Sequence, residues 1–176
     1  MAQESTNVPN EKASFMAASS GLVPAASATD IFTITGKAGR VVRINQIQIS
    51  GIATAAAAIP ISIVKRSTAN SGGTSTAVTA VNLDTANSGS AAQATVLAYT
   101  ANPSSLGTAV GNVSTARMIL STASASVGTA PIVFAFERMY MKLPTLRDAT
   151  ESLCINYGTS TAAGNSLDIS VSWTEE

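Results

Sequence analysis

Apolar and polar residues alternate along most of the chain from Asp30 to the C-terminus. This period of two is typical of half-buried β-strands, whose successive side chains point to opposite faces of a sheet. The clearest predicted inward stripes are Ile59/Ile61/Ile63, Ile132/Phe134/Phe136 and Leu167/Ile169/Val171/Trp173. Gly, Pro, Ser, Thr and Asn lie between the strands, and these residues favour turns. The pattern therefore predicts an all-β chain.

The segments with this pattern number roughly eight to ten, each roughly five to eight residues long. Such a series is typical of an antiparallel β-sandwich or jelly-roll-like single domain. No segment has the period and the length of a crossover helix, so a parallel α/β fold is not expected. In the second strand the inward phase changes between Ile44 and Ile47, which predicts a β-bulge near Asn45–Gln46.

Residues 1–28 differ from the rest of the chain because they are mostly polar or small. Such a segment buries too little apolar surface to offset the entropy lost on ordering it. We therefore expect an extended or flexible N-terminal arm over residues 1–28 and a β-sandwich domain over residues 29–176 that folds without it. The candidate partner-binding anchors of the arm are Phe15, Met16, Leu22 and Val23. The alternatives are a tail without a partner and a short helix at Met16–Ser20.

Composition limits the expected partners. Ala, Ser and Thr account for 75 of the 176 residues, only 11% are charged, and ten basic side chains balance ten acidic ones. A net charge of zero creates no long-range field toward nucleic acid or an anionic membrane, so neither is an expected partner. Between Arg66 and Arg117 the only charged residue is Asp84. This stretch predicts either a neutral contact face for other subunits or a Thr-rich β-surface without a partner.

The sequence lacks recognisable catalytic and cofactor motifs. Without His, the chain cannot build a Ser-His-Asp triad, an imidazole base or a His-ligated metal site. The carboxylates form no spaced pair, and Gly72-Gly73 lacks the Lys-Ser/Thr that completes a phosphate-binding loop. Cys154 stands between Leu153 and Ile155, which predicts a strand residue rather than a nucleophile. We therefore expect no enzyme activity, cofactor or bound metal.

Several segments resemble one family of proteins. They are LVPAASATDIFTITG at 22–36, RVVRINQIQISG at 40–51, IVKRSTANSGGTSTAVTAV at 63–81, AYTANPSSLGTAVG at 98–111 and SLDISVSWTEE at 166–176. The most specific are the loop Lys65–Thr76 and the ending Asp168–Glu175. These segments resemble small proteins encoded among the structural genes of tailed bacteriophages and prophages, whereas Met139–Glu151 matches that family poorly. The resemblance implies a virion component.

Within such a family, we expect a capsid cement, or decoration, protein that binds over junctions between shell subunits on the capsid surface. Its partners would be the major capsid protein or other virion proteins, and assembly would take place in the cytoplasm of the bacterial host. A homotrimer is expected because three-fold junctions accept a closed ring of three. The alternatives are a tail, neck or fibre protein and a carbohydrate-binding β-sandwich for host attachment. A carbohydrate-binding module is expected to expose aromatic side chains, and the long loops here carry Ser, Thr, Gly and Ala.

Overall fold

The computed structural model describes residues 12–84, 91–122, 130–137, 142–158 and 165–176. These residues form twelve β-strands and contain no helix. The strands are β1 (Ala13–Leu22), β2 (Asp30–Thr35), β3 (Val42–Ala53), β4 (Ala57–Arg66), β5 (Thr74–Ala77), β6 (Ala80–Asn82), β7 (Thr95–Ala101), β8 (Ala109–Thr122), β9 (Ile132–Ala135), β10 (Thr145–Leu146), β11 (Ser152–Asn156) and β12 (Ser166–Glu175). The chain is therefore all-β, as the alternation predicts.

The strands form one curled sheet with two halves. The first half has the order β5-β7-β2-β11-β4-β8, and the second has the order β3-β12-β1-β6. Neighbouring strands are antiparallel except β3 and β8, which join the halves through a short parallel pairing of Ile52–Ala53 with Ser121–Thr122. Strands β9 and β10 pair with the edge of β3 that does not contact β12. The result is a single domain of the sandwich or jelly-roll-like kind, with a mixed rather than purely antiparallel sheet.

One hydrophobic core fills the space between the two halves. The predicted stripes of β4 and β12 are buried in it, at 2% exposure or less. In the third predicted stripe Phe134 is buried, whereas Ile132 and Phe136 are half-buried. Bulky side chains from a few strands therefore build the core, and the abundant Ala, Ser and Thr residues are left for surfaces and loops.

Residues 12–28 do not form the separate arm predicted for residues 1–28. Ala13–Leu22 is β1, which lies between β12 and β6 and pairs with both. Phe15 is 1% exposed, and its ring stacks on that of Trp173 with the centroids 5.8 Å apart. The small residues of β1 are tolerated because the neighbouring strands supply the bulky side chains of the core.

The domain therefore includes β1 and does not begin at residue 29. The segment Met16–Ser20 is strand, not helix. Residues 1–11 of the predicted arm lie outside the described residues.

A β-bulge in β3 confirms the predicted change of phase. Ile44 pairs with Trp173 and Gln46 pairs with Ser172, so Asn45 has no partner on β12. The extra residue lets the apolar side chains before and after it face the same core. A local switch in the hydrophobic pattern is enough to predict this bulge.

A second bulge lies in β1, where the sequence does not predict one. The register against β12 shifts between Ser19 and Leu22. Asp168 Oδ1 stabilises the bulge by accepting hydrogen bonds from Ser20 Oγ at 2.7 Å and Gly21 N at 3.0 Å. Gly21 has a φ of +69°, in the left-handed region that favours glycine. The bulge brings Leu22 to the core side of the strand.

Candidate interaction surface

A buried ion pair lies on the face of the first half-sheet that is turned away from the main core. Asp30 begins β2 and Arg66 ends β4, and β11 lies between these two strands. Arg66 Nε donates to Asp30 Oδ2 at 2.7 Å, and Arg66 Nη2 donates to Oδ1 at 2.9 Å. Asp30 is 0% exposed and Arg66 is 6% exposed. This two-pronged geometry is among the strongest forms of charge-assisted hydrogen bonding.

Two asparagines complete the environment of the Asp30 carboxylate. Asn156 Nδ2 donates to Oδ1 at 2.9 Å, and Asn70 Nδ2 donates to Oδ2 at 2.8 Å. Burial by itself would raise the pKa of Asp30, but the hydrogen bonds from Arg66, Asn156 and Asn70 outweigh it and lower the pKa below its ordinary value. The carboxylate therefore stays ionised at neutral pH, and both of its oxygens have partners.

The ion pair positions two loops, residues 67–73 and 102–108, which we call the double-loop platform. Arg66 Nη1 donates to the carbonyl oxygen of Gly107 at 2.7 Å. Gly107 N in turn donates to Asn70 Oδ1 at 2.9 Å. Arg66 and Asn70, which hold the Asp30 carboxylate, therefore also bind the second loop.

The two loops of the platform also bind each other directly. Thr108 N donates to Thr68 Oγ1 at 2.7 Å, and Ser71 and Ser105 exchange two backbone hydrogen bonds of 3.0 and 3.1 Å. The loops approach closely at Gly107, where an added Cβ would lie 1.7 Å from the carbonyl oxygen of Thr68. A side chain cannot fit there unless the backbone moves. Loops of small polar residues are thus held in one arrangement.

The outward surface of the platform carries no charge. Its exposed side chains are Ser, Thr and Ala together with Leu106, which is 40% exposed. On β8, the following strand, Val110 and Val113 are 66% and 42% exposed. Of the ten large apolar side chains exposed in the described residues, five lie between Ser67 and Ala116. The charge-poor stretch singled out by the sequence therefore contributes much of the exposed apolar surface of the domain.

The four anchors predicted from the sequence do not lie on one surface. Phe15 and Leu22 are 1% and 6% exposed and belong to the core of their own domain. Met16 and Val23 are 39% and 55% exposed. Strand alternation explains why Phe15 and Met16 differ, because neighbouring residues of β1 point to opposite faces, whereas Val23 follows the last residue of β1. Phe15 and Leu22 are therefore core residues, and only Met16 and Val23 stay available for contact.

Cys154 lies beneath the platform as a structural residue. It is 0% exposed in β11, and Asn70 Nδ2 lies 3.9 Å from its sulfur. Burial raises the pKa of the thiol to about 12, so the thiolate does not form at neutral pH. The prediction that Cys154 is a strand residue is confirmed. The described residues hold no group of three or more His, Cys, Asp or Glu side chains that could bind a metal ion.

The sequence alone does not reveal the pairing of Asp30 with Arg66. Each residue stands at the end of a predicted strand, but the two meet only because β11 inserts between β2 and β4. One signal was present: charged residues are rare in this chain, and Arg66 belongs to the motif Lys65–Thr76. A charged residue next to a buried strand in such a chain is a candidate for a buried pair.

Comparison of the chain with protein-family models, with curated proteins and with solved structures gives no match. The described residues contain no helix, and therefore no helical segment that could span a membrane. The functional interpretation of the platform therefore rests on its geometry and on the sequence.

Proposed function

We propose that the chain is a structural protein of a tailed-bacteriophage virion, and specifically a capsid cement protein that binds over junctions between shell subunits. Its partner is the major capsid protein or another virion protein, and it acts on the capsid surface as a trimer. The observation that carries this proposal is the double-loop platform, a rigid and uncharged surface beside exposed valines. The motif Lys65–Thr76, which resembles the phage family, builds one of the two loops.

A rigid, neutral surface suits protein–protein contact for two reasons. Loops that are already held in one arrangement lose little conformational entropy on binding. Hydroxyl and amide side chains also cost less to remove from water than charged ones do, and the centres of interfaces are depleted in charged residues. Leu106 adds an exposed apolar side chain to this surface. The platform thus has the composition and the fixed conformation expected of a permanent protein–protein interface.

The two alternatives differ in how the structure bears on them. A tail, neck or fibre protein would use the same kind of surface, so its position on the particle distinguishes it from a cement protein. A carbohydrate-binding module would need an exposed ring to stack on a sugar. Every aromatic side chain within the described ranges is buried or half-buried, which favours the protein-binding role.

The test is the binding of the purified chain to phage heads assembled without it. Leu106→Arg places a guanidinium on the platform, and burying an unpaired charge costs several kcal/mol. Occupancy on the heads should therefore fall by about tenfold or more. Ala149→Arg is the control, since Ala149 is exposed in the turn after β10 and lies outside the platform.

Two results would overturn the proposal. If Leu106→Arg loads onto heads as well as the unaltered chain, the platform is not the contact surface. If the unaltered chain binds tails and not heads, the tail alternative replaces the cement role. Light scattering of the free chain tests the trimer separately.

A further inference from the structure

A groove opens between β8 and β9, where the two halves of the sheet separate. Strand β3 pairs with β8 only at Ile52–Ala53, and along Gln46–Ile49 it pairs with β9. Strands β8 and β9 therefore diverge and leave a cavity of about 590 Å³. Its lining is mostly apolar and includes Val113, Val133, Phe134, Phe136 and Pro144. A cavity of this size lies within the range that proteins use to bind ligands.

One wall of the groove belongs to an open strand edge. β8 pairs with β4 along its length, but on its other edge only Ser121 and Thr122 have strand partners among the described residues. Unpaired N–H and C=O groups on such an edge accept a strand from another polypeptide. The groove therefore combines apolar walls with a template for backbone pairing.

Two bulges in β8 add apolar side chains beside this edge. The register against β4 shifts twice, and the extra residues on β8 are Val113 and Val110. Both side chains are exposed, at 42% and 66%, and Val113 lines the groove. A bulge re-aims the side chain that it carries, so these valines are presented to an incoming chain.

The charge of the groove is set by two lysines. The Lys65 ammonium already has partners, because its Nζ donates to the carbonyl oxygen of Thr145 and lies 3.3 Å from Glu151 Oε1. Lys142 also lines the groove but is exposed, and within the described ranges it has no hydrogen bond or ion pair. Among the described lining residues, Lys142 therefore offers an occupant of the groove a positive charge next to apolar walls.

We propose that this groove binds an extended polypeptide segment that carries a Glu or Asp side chain flanked by apolar ones. The carboxylate pairs with Lys142, the apolar side chains contact Val113 and Phe136, and the backbone adds to the open edge of β8. The source is a segment of the shell subunit, and this part of the inference rests on the proposed cement function. A peptide is favoured over a small molecule because the open edge offers a row of backbone partners.

A second copy of β8 fits the groove less well. β8 contains no acidic residue that could meet Lys142. Antiparallel pairing of two β8 strands about Arg117 would also place two arginines opposite each other, and like charges in that position are destabilising. Charge complementarity therefore favours a different segment with an acidic side chain.

The test selects short random peptides from a displayed library against the folded chain. Enriched peptides should alternate apolar residues with at least one Glu or Asp, and Val113→Glu should weaken their binding by about tenfold or more. Lys142→Glu should shift the selected charge from acidic to basic. Lys37→Glu is the matched control, because Lys37 is exposed in the turn after β2 and does not line the groove. This variant should enrich the same peptides as the unaltered chain.

Several outcomes would overturn the proposal: no enrichment, enrichment without acidic residues, or an unchanged preference in Lys142→Glu. If the free chain self-associates and Val113→Glu abolishes that association without any peptide being selected, the groove belongs to a second copy instead. Loading onto phage heads separates this proposal from the cement function. If Val113→Glu loads onto heads as well as the unaltered chain, the groove proposal is overturned and the cement function is not. If the unaltered chain selects acidic peptides but never loads onto heads, the shell subunit is not the source of the bound segment.

Discussion

Strand β1 and the double-loop platform have similar compositions but are held in place by different interactions. Both consist largely of small residues, which are Ala, Ser and Gly in β1 and Ser, Thr, Gly, Ala and Asn in the platform. β1 is ordered by the burial of Phe15 and Leu22 and by pairing with a strand on each side. The platform is ordered by hydrogen bonds around the Asp30–Arg66 pair. In both regions the groups that impose order come from distant parts of the chain, so local composition alone is a poor guide to mobility.

The difference between the two regions has a consequence for stability. β1 is part of the main core, so damage to it should lower the stability of the whole domain. The platform covers the opposite face of one half-sheet, so damage to its ion pair should loosen the loops more than the strands. Three experiments, each with its own control variants, test this contrast.

The largest effect is expected from removing the apolar anchor of β1. Phe15→Ala should lower the free energy of unfolding by about 3–5 kcal/mol, because it leaves a cavity against Trp173. Met16→Ala changes the next residue, which is 39% exposed, and should alter the free energy by less than about 0.5 kcal/mol. Denaturant unfolding followed by far-UV circular dichroism measures both. Equal effects of the two variants would contradict the placement of β1 in the core.

A somewhat smaller effect on stability is expected from breaking the buried ion pair. Arg66→Met should lower the free energy of unfolding by about 3 kcal/mol, because it leaves the Asp30 carboxylate buried without its cation. Backbone amides of residues 67–73 and 102–108 should exchange with solvent faster, while those of β1 keep their protection. Arg66→Lys keeps the charge without the two-pronged geometry and should fall in between. Unchanged protection of the platform in Arg66→Met would show that the ion pair does not hold the loops.

The smallest effect is a dependence of stability on pH. The pKa of Asp30 in the folded chain lies below its ordinary value of about 3.9. A carboxyl group with a lowered pKa stabilises the fold above its unfolded pKa, and this stabilisation is lost as the pH falls through the folded pKa. Stability should therefore decline as the pH is lowered below about 4, and Asp30→Asn should flatten the decline. Unfolding midpoints over a pH series measure both slopes.

A second carboxylate also has a lowered pKa and needs its own control. Hydrogen bonds from Arg43 and Lys12 lower the pKa of Glu176 to about 2. Glu176→Gln removes that contribution and leaves the one from Asp30. If Asp30→Asn loses stability with the same slope as the unaltered chain, the buried pair is not the source of the acid sensitivity.

The sequence predicts the features of this protein that depend on neighbouring residues. Alternation in β4 and β12 identifies their core stripes, Gly36 marks the end of β2, and the phase change around Asn45 locates the bulge in β3. These predictions succeed because strand alternation and turn chemistry act over a few residues. The sequence also shows that Asp84 is the only charged residue between Ser67 and Ala116.

Only the tertiary structure decides the features that depend on which strands become neighbours. β1 contains too few bulky residues to predict its own burial, and it becomes a core strand because β12 brings Trp173 against Phe15. Asp30 and Arg66 form a pair because β11 lies between their strands. The groove exists because β3 pairs with β8 at one end and with β9 farther along. The physical reason is the same in each case: pairing between distant segments is set by the packing of the whole core, and no local pattern encodes it.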